Sequence, residues 1–226
     1  MSKYTVPTFS LAMLHPKYWC VLLIISVSYL CSLLPYAIQI RIGKLLGRVV
    51  LSFMKRRTRT IKRNLELCFP DMSEADQKDL VLKNMENTGI AMVETGMAWW
   101  WPQWRVKSVY GSIKGLEHFE RVQASGKGVL LLVPHILHLE MASRVMGLKC
   151  QGLGFYRPHN NALMEYFTTN GRLRSNEYLI GRKDVKGLLK SLKNKKVCYY
   201  LPDQDYGRNR CEFVPFYAVP DTATTT

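Results

Sequence analysis

The stretch that decides the fold is Gly128–Glu140, with the sequence GVLLLVPHILHLE. An apolar run of strand length ends at Pro134, and His135 follows it immediately. Apolar runs of this length, bounded by Gly and Pro, are typical of buried parallel strands. The pattern therefore predicts a strand that delivers His135 to the end of a parallel sheet, which is where such sheets bind their ligands.

Glu140 follows His135 by five residues, and this spacing limits where the two side chains can meet. Residues five apart on one α-helix are rotated by about 140° from facing each other. They can meet if His135 lies in the turn after the strand and Glu140 lies in the first turns of a helix that begins near Leu137. A carboxylate bonded to one ring nitrogen would fix the tautomer and leave the other nitrogen as a general base.

Two other interpretations of this segment stay open on spacing alone. In the first, His135 is a strand-end histidine beside an unrelated surface carboxylate. In the second, His135, His138 and Glu140 are metal ligands, although no other Cys or His cluster completes a ligand shell. We therefore expect no metal site.

An uncharged stretch of 23 residues lies between Lys17 and Arg41. A bilayer core takes about 20 residues, and Trp19 and Tyr36 suit the two interfaces. The stretch predicts a membrane helix, or a deep hairpin-like insertion broken near Pro35, with a buried globular helix as the alternative. Six cysteines without a CxxC pair or a pairing rhythm indicate a reduced compartment.

Positive charge is concentrated just after this stretch. The net charge is +15, and 11 of the 32 Lys and Arg residues precede the first acid, Glu66. Residues 41–63 hold nine cations, with apolar residues at helical spacing. This predicts one amphipathic basic helix for the headgroups of an anionic leaflet, with the chain beyond it in the cytoplasm. Nucleic acid is the rival partner, but we expect none, since the patch adjoins an apolar segment and no nucleic-acid motif follows.

The remaining chain alternates between helical and strand patterns. A capping sequence at Ser73 predicts a long helix that ends at the tryptophans 99–101. Further helices are predicted at 116–124, 140–147, 162–169 and 184–193, and strands at 129–133, 153–156 and 197–201. The fold class predicted is α/β, with a central, mostly parallel sheet flanked by helices. We divide the chain into an anchor at 1–40, a basic and helical region at 41–108 and an α/β domain at 109–226.

Three polar clusters lie where predicted strands end, at residues 135–140, 157–161 and 203–207. The carboxyl ends of parallel strands lie at one edge of a sheet, so these clusters are candidates for a shared site.

Several sequence blocks, taken in order, resemble one enzyme family. They are HPKYW at 15–19, NLELCFP at 64–70, ETGMAW at 94–99, HILHLE at 135–140, YRP at 156–158, GRLRSN at 171–176 and PDQDYG at 202–207. A lone His-x4-Glu is a weak signal, whereas these blocks in order are specific. Along nearly its whole length the chain resembles the bacterial late acyltransferases of lipid A synthesis, in the glycerolipid acyltransferase superfamily. The blocks look most like the lauroyl- and palmitoleoyltransferase branch.

The resemblance implies an enzyme of the bacterial inner membrane with a single N-terminal pass and a cytoplasmic catalytic domain. It would transfer laurate or palmitoleate from acyl carrier protein to a hydroxyl of the Kdo-modified tetraacyl lipid A precursor, without a cofactor. The partners implied are acyl carrier protein, the precursor and anionic membrane lipids.

The resemblance also implies roles for individual residues. His135 matches the general base and Glu140 its orienting carboxylate, so direct attack by the hydroxyl needs no Ser or Cys nucleophile. Four arginines are candidates for phosphate or oxyanion binding: Arg157, Arg172, Arg174 and Arg182. The spacing of Arg172 and Arg174 would put both on one side of an extended segment. Asp203 and Asp205 match a block for structural support or substrate positioning.

The family continues beyond Thr226, so this chain resembles a C-terminally shortened copy. Two alternatives to this function stay open. One is a membrane-anchored protein that binds anionic lipids through an inactive acyltransferase domain, and the other is an acyltransferase for another glycolipid or a phospholipid.

Overall fold

The computed structural model describes residues 6–203 and 211–224, and these fall into two compact units. We call residues 6–33, 95–133 and 140–200 the sheet unit. Residues 34–94, 134–139, 201–203 and 211–224 are the helical unit. The division at residues 40 and 108 stays a prediction.

The helices are α1 Trp19–Leu33, α2 Tyr36–Phe53, α3 Lys55–Cys68, α4 Glu74–Trp100, α5 Gln103–Lys107, α6 Leu116–Ala124, α7 Leu139–Met146, α8 Ala162–Leu173 and α9 Val185–Lys193. The strands are β1 Val129–Leu132, β2 Gly152–Tyr156, β3 Asn176–Gly181, β4 Val197–Tyr200, β5 Cys211–Phe216 and β6 Val219–Thr224.

The sheet unit is built on a four-stranded sheet with the order β1-β4-β2-β3. Every neighbouring pair in it is parallel. Its α/β character and parallel strands confirm the predicted fold class. Strand β3 was not predicted, because its apolar core is only three residues long, Tyr178 to Ile180, between polar Asn176 and the glycine that ends it.

Helix α9 covers part of this sheet. Its Leu188 belongs to a buried cluster with Leu153 on β2, Ile180 on β3 and Cys198 on β4. Burying a leucine or isoleucine side chain contributes about 1.5–3 kcal/mol. The helix starts where Asp184 accepts a hydrogen bond from the Gly187 N–H, 2.8 Å away, so a side-chain cap fixes its N-terminus.

Helix α1 buries one face within the sheet unit. Its Ile25 packs against Ala98 and Trp99. The Ser32 carbonyl at its C-terminal end accepts hydrogen bonds from the Trp101 indole (2.7 Å) and the Arg105 guanidinium (2.9 Å). These donors satisfy a carbonyl oxygen that a helix end leaves without a partner.

The opposite face of α1 is apolar and exposed, at Leu23, Ile24 and Leu30 among others. Residues 16–33 form a helical stretch long and apolar enough to cross a membrane. The helix stops at Leu33, and α2 begins after Pro35, so the predicted break near Pro35 is confirmed.

In the helical unit, the prediction of a single basic helix over residues 41–63 is wrong, because the structure has two helices there. Met54 interrupts it, with φ −89° and ψ 60°, and separates α2 from α3. The Leu51 carbonyl accepts hydrogen bonds from the Met54 N–H and the Thr58 hydroxyl, which completes the C-terminus of α2. Helical periodicity extends through both segments, so it carries no sign of a break at Met54.

Helix α2 approaches α4 through glycines. A Cβ on Gly43 would come 2.8 Å from the Ile90 Cα, and one on Gly47 would overlap the Met85 carbonyl. The Gly89 backbone of α4 faces both glycines. The two backbones therefore lie too close for any larger residue.

The start of α4 confirms the predicted cap, since Ser73 Oγ accepts a hydrogen bond from the Asp76 N–H (3.2 Å). Strands β5 and β6 form an antiparallel hairpin that was not predicted. Its turn contains Tyr217 at φ 51°, where a Gly or Asn would have been the usual sequence signal.

Candidate active site

His135 lies in the helical unit, in the segment 134–139 that connects β1 to α7. Its backbone N–H donates to Asp203 Oδ2 (2.5 Å), and its Nδ1 is 2.6 Å from Asp203 Oδ1. Asp203 follows β4, the neighbour of β1 in the sheet. Two adjacent parallel strands thus lead to the two members of this pair, which belong to two of the three predicted polar clusters.

The contact with His135 changes the acidity of Asp203. Partial burial raises the pKa of Asp203, but the hydrogen bonds from the His135 backbone and ring together lower it below its ordinary value. The carboxylate is therefore ionised at neutral pH. An ionised Asp203 accepts a hydrogen bond from a protonated Nδ1. This favours the tautomer that has its lone pair on Nε2.

His138 forms a second histidine–carboxylate pair in the helical unit. Its Nδ1 is 2.6 Å from Glu94 Oε2, and the Glu94 side chain is only 12% exposed. This contact links the segment after β1 to α4. No local pattern indicates this pairing, since the two residues are 44 positions apart in the chain.

Glu140 lies at the start of α7, in the sheet unit. Its Oε1 accepts a hydrogen bond from Arg172 Nε (2.9 Å) and a second from Arg172 Nη2. Its Oε2 accepts one from the Trp99 indole N–H (3.3 Å). The Arg172 guanidinium also lies over the Tyr156 ring, 5.5 Å from its centroid. Both carboxylate oxygens of Glu140 therefore have donors.

In the structure, the His135 ring and the Glu140 carboxylate each have a partner that was not predicted. The sequence paired His135 with Glu140, whereas in the structure Nδ1 of His135 contacts Asp203. Asp203 was expected to support the fold or to position substrate. It is 68 residues from His135 in the chain, so spacing within one segment could not reveal the contact. The catalytic assignment of His135 and Glu140 stays a prediction.

The extended geometry predicted for Arg172 and Arg174 is wrong. Arg172 is in the last turn of α8, and Arg174 has helical dihedral angles of −70° and −19°. Residues two apart on a helix are rotated by about 200° from each other. Arg174 accordingly donates to the backbone carbonyls of Trp99 (2.8 Å) and Trp101 (2.9 Å) and holds the C-terminus of α4.

Arg157 and Arg182 directly follow two neighbouring strands, β2 and β3. The Arg182 N–H donates to the Tyr156 carbonyl (3.0 Å), so the two strand ends are hydrogen-bonded. Both side chains are exposed, and neither has a carboxylate partner among residues 6–203 and 211–224. Asp205, the other predicted site residue, lies outside the described residues.

Sequence reasoning missed Glu165, which is 6% exposed and organises the segment after β2. Its Oε2 accepts hydrogen bonds from the Tyr156 hydroxyl (2.5 Å) and the His159 N–H (2.7 Å). A glutamate on the buried face of the helix predicted at 162–169 was the available signal, because buried carboxylates need partners.

Cys198, at the centre of β4, is fully buried, and burial raises the pKa of its thiol to about 11. At neutral pH it is a protonated thiol and a poor nucleophile. In the described part of the chain, no three His, Cys, Asp or Glu side chains are grouped so that they could hold a metal ion.

Comparisons with known proteins agree with the predicted resemblance. The sequence profile described as bacterial lipid A biosynthesis acyltransferase matches residues 6–226. The chain is 47% identical over 221 residues to the lipid A biosynthesis lauroyltransferase of Escherichia coli (strain K12). This alignment covers 98% of the chain and 72% of that protein. It is 42% identical over 217 residues to the palmitoleoyltransferase of the same organism, with coverages of 96% and 71%. Its identity to the myristoyltransferase of that organism is 29% over 216 residues, with coverages of 94% and 66%.

Proposed function

The chain belongs to the bacterial lipid A biosynthesis acyltransferase family and is an acyltransferase, and from this premise we propose the reaction that it catalyses. It transfers a lauroyl or palmitoleoyl group from acyl carrier protein to a hydroxyl of the Kdo-modified tetraacyl lipid A precursor. The names of its relatives, lauroyltransferase and palmitoleoyltransferase, support these two acyl groups. The observation that carries the mechanism is the double contact of His135 with Asp203.

His135 is the general base in this reaction. Asp203 holds Nδ1, and Nε2 takes the proton of the acceptor hydroxyl as its oxygen attacks the thioester carbonyl. The tetrahedral intermediate then collapses, the C–S bond breaks, and the departing thiolate regains a proton from the imidazolium. Atoms and charge balance without a covalent enzyme intermediate.

Glu140 and Arg172 form the second part of the proposed machinery. Glu140 follows His135 by five residues in the chain, and its carboxylate fixes the Arg172 guanidinium. A guanidinium held in this way can stabilise the oxyanion of the intermediate or bind a phosphate. Arg157 and Arg182 are proposed to bind phosphate, and Arg174 to position the C-terminus of α4.

The proposed location is the cytoplasmic face of the bacterial inner membrane, with α1 as the anchor and the basic α2 and α3 on anionic lipid. The exposed apolar face of α1 supports membrane association. Both substrates suit this location, since the acceptor is a lipid and the donor is a soluble carrier protein.

The decisive experiment is acyl transfer by the purified protein from labelled acyl carrier protein to the precursor. His135→Ala should lose about 10²–10⁴-fold in kcat, the usual contribution of a general base. His138→Ala is the matched control and should keep most of the activity, because its partner is Glu94 rather than Asp203. If the wild-type protein binds anionic lipid but transfers no acyl group, the lipid-binding alternative replaces this proposal.

A further inference from the structure

A groove of about 810 Å³ opens in the helical unit, and neither His135 nor Asp203 lines it. Four parts of the chain line it: the end of α2, most of α3, the middle of α4, and the segment 134–139. Its volume falls within the range of about 300–1,000 Å³ that is typical of ligand pockets. It is therefore large enough for a substrate group.

One wall of the groove carries an unbalanced positive charge. Helix α3 begins with three consecutive cations that line the groove, Lys55, Arg56 and Arg57. Its first turn contains no acid. Among the described residues, none of these three cations is paired with a carboxylate. Lys44 and Arg48 on α2 differ in this respect, since both contact Glu86. The groove thus keeps its positive charge available for an anion.

The groove also contains neutral residues that can form hydrogen bonds. Asn84 of α4 and Asn64 of α3 both line it. Amides and guanidinium groups are donors that suit phosphate oxygens, and a phosphate monoester carries a charge near −2 at neutral pH. Exposed Phe53 and Met54 at the end of α2 add an apolar border.

The groove reaches the segment that carries the proposed base. Leu137 lines it and follows His135 by two residues. On α4, Asn84 and Thr88 line the groove, and Glu94, the partner of His138, lies about 9 Å beyond Thr88 along the helix. A ligand in the groove would therefore lie near the segment that carries the proposed base.

We propose that this groove binds a phosphate group of one of the two substrates, through Lys55, Arg56 and Arg57. The proposal rests on the proposed function, which supplies two phosphate-bearing molecules. These are the lipid A precursor and the phosphopantetheine arm of the acyl carrier protein. Both present an anionic phosphate ester next to a less polar chain.

The test is a binding measurement on the purified full chain. The probes are the precursor and the same lipid after phosphatase treatment, and separately phosphopantetheine and pantetheine. In one of the two pairs, the wild-type protein should bind the phosphorylated form about tenfold more tightly, the value of one charge-assisted hydrogen bond. Arg56→Gln and Arg57→Gln should abolish that preference. The pair of probes that shows the phosphate preference identifies the substrate whose phosphate the groove binds.

Arg59→Gln is the matched control. Arg59 is an exposed cation of α3 that does not line the groove, and no carboxylate in the described ranges pairs with it. It should keep the phosphate preference. An equal loss in Arg59→Gln, or no phosphate preference in either pair, would overturn the proposal in favour of a diffuse attraction to anionic surfaces. Binding is read without turnover, so a wild-type protein that fails to transfer acyl groups would refute the proposed function and leave this test intact.

Discussion

The contact between His135 and Asp203 leads to a prediction for the substitution of Asp203 by Asn. Asp203→Asn keeps the size of the side chain but replaces the ionised acceptor that fixes Nδ1. We expect kcat to fall at least a hundredfold, because the base loses its orientation. KM should change little, because the substrate-binding site is not altered. Steady-state kinetics in both substrates measure this.

Asp184→Asn is the control for this exchange. Asp184 caps α9 through the Gly187 N–H, and Asn caps helices about as well as Asp. Its kinetics should match those of the wild type. A loss of activity in Asp184→Asn as large as that in Asp203→Asn would attribute both to a general effect on folding.

The lowered pKa of Asp203 also makes stability depend on pH. A carboxyl whose pKa is lower in the folded state stabilises that state above the unfolded pKa, which is about 3.9 for Asp. This contribution disappears as the pH falls through the folded pKa. The difference in unfolding free energy between wild type and Asp203→Asn should therefore narrow below about pH 4 and stay constant from pH 5 to 7. Denaturant titrations across this range test it, and a difference that widens on acidification would contradict it.

The limits of sequence-based prediction are clear at these residues. The strand–turn–helix around His135 and the start of α7 near Glu140 could be predicted, since local periodicity determines both. Asp203 was recognised as a site residue, but not as the partner of Nδ1. That contact depends on β1 and β4 being neighbours, and strand order is not a local property of the sequence.

At the scale of elements, the approach of α2 to α4 gives a stability prediction. Gly47→Ala would place a methyl group against the Met85 carbonyl, and Gly89→Ala would place one against the Gly43 carbonyl. Because backbone cannot yield as a flexible side chain does, each variant should lose about 1–3 kcal/mol or more of unfolding free energy. Thermal or denaturant unfolding measures the loss.

Gly111→Ala is the corresponding control, since nothing lies within 4 Å of a Cβ built at that glycine. Its stability should equal that of the wild type or rise slightly, because Ala restricts the unfolded chain. If Gly47→Ala were as stable as Gly111→Ala, the close approach of α2 and α4 would be wrong.

Most elements could be predicted because their periodicity is local, and the exceptions have physical causes. The helix break at Met54 depends on hydrogen bonds to the Leu51 carbonyl, which leave no periodic trace. Strand β3 has too few consecutive apolar residues to be recognised as a strand from its sequence. The hairpin turn at Tyr217 uses a residue that rarely adopts positive φ.

For the whole molecule, the exposed face of α1 predicts how the protein partitions. Leu23, Ile24 and Leu30 are 61–66% exposed. Replacing all three by Gln should shift the protein from washed membranes to the soluble fraction, because polar side chains in a bilayer core are costly. Washing with high salt removes binding that depends only on the basic stretch.

The control is Leu189→Gln, an exposed leucine on α9, which should not change partitioning. A variant that begins at Arg41 should leave the membrane under the same wash. If either that variant or the triple Gln variant stayed as tightly bound as the wild type, the anchor would be α2 and α3 rather than α1.

The pairing of β1 with β4 has a consequence for how the protein is made. His135 and Asp203 are separated by 68 positions, and ribosomes add about 5–20 residues per second, so Asp203 is synthesised about 3–14 s after His135. During that interval β1 has no parallel neighbour, because β4 has not yet been translated. A nascent chain that already contains both His135 and Glu140 therefore still lacks an oriented base. If His135 is the base, as proposed, its orientation is complete only after the strand that ends before Asp203 has docked beside β1.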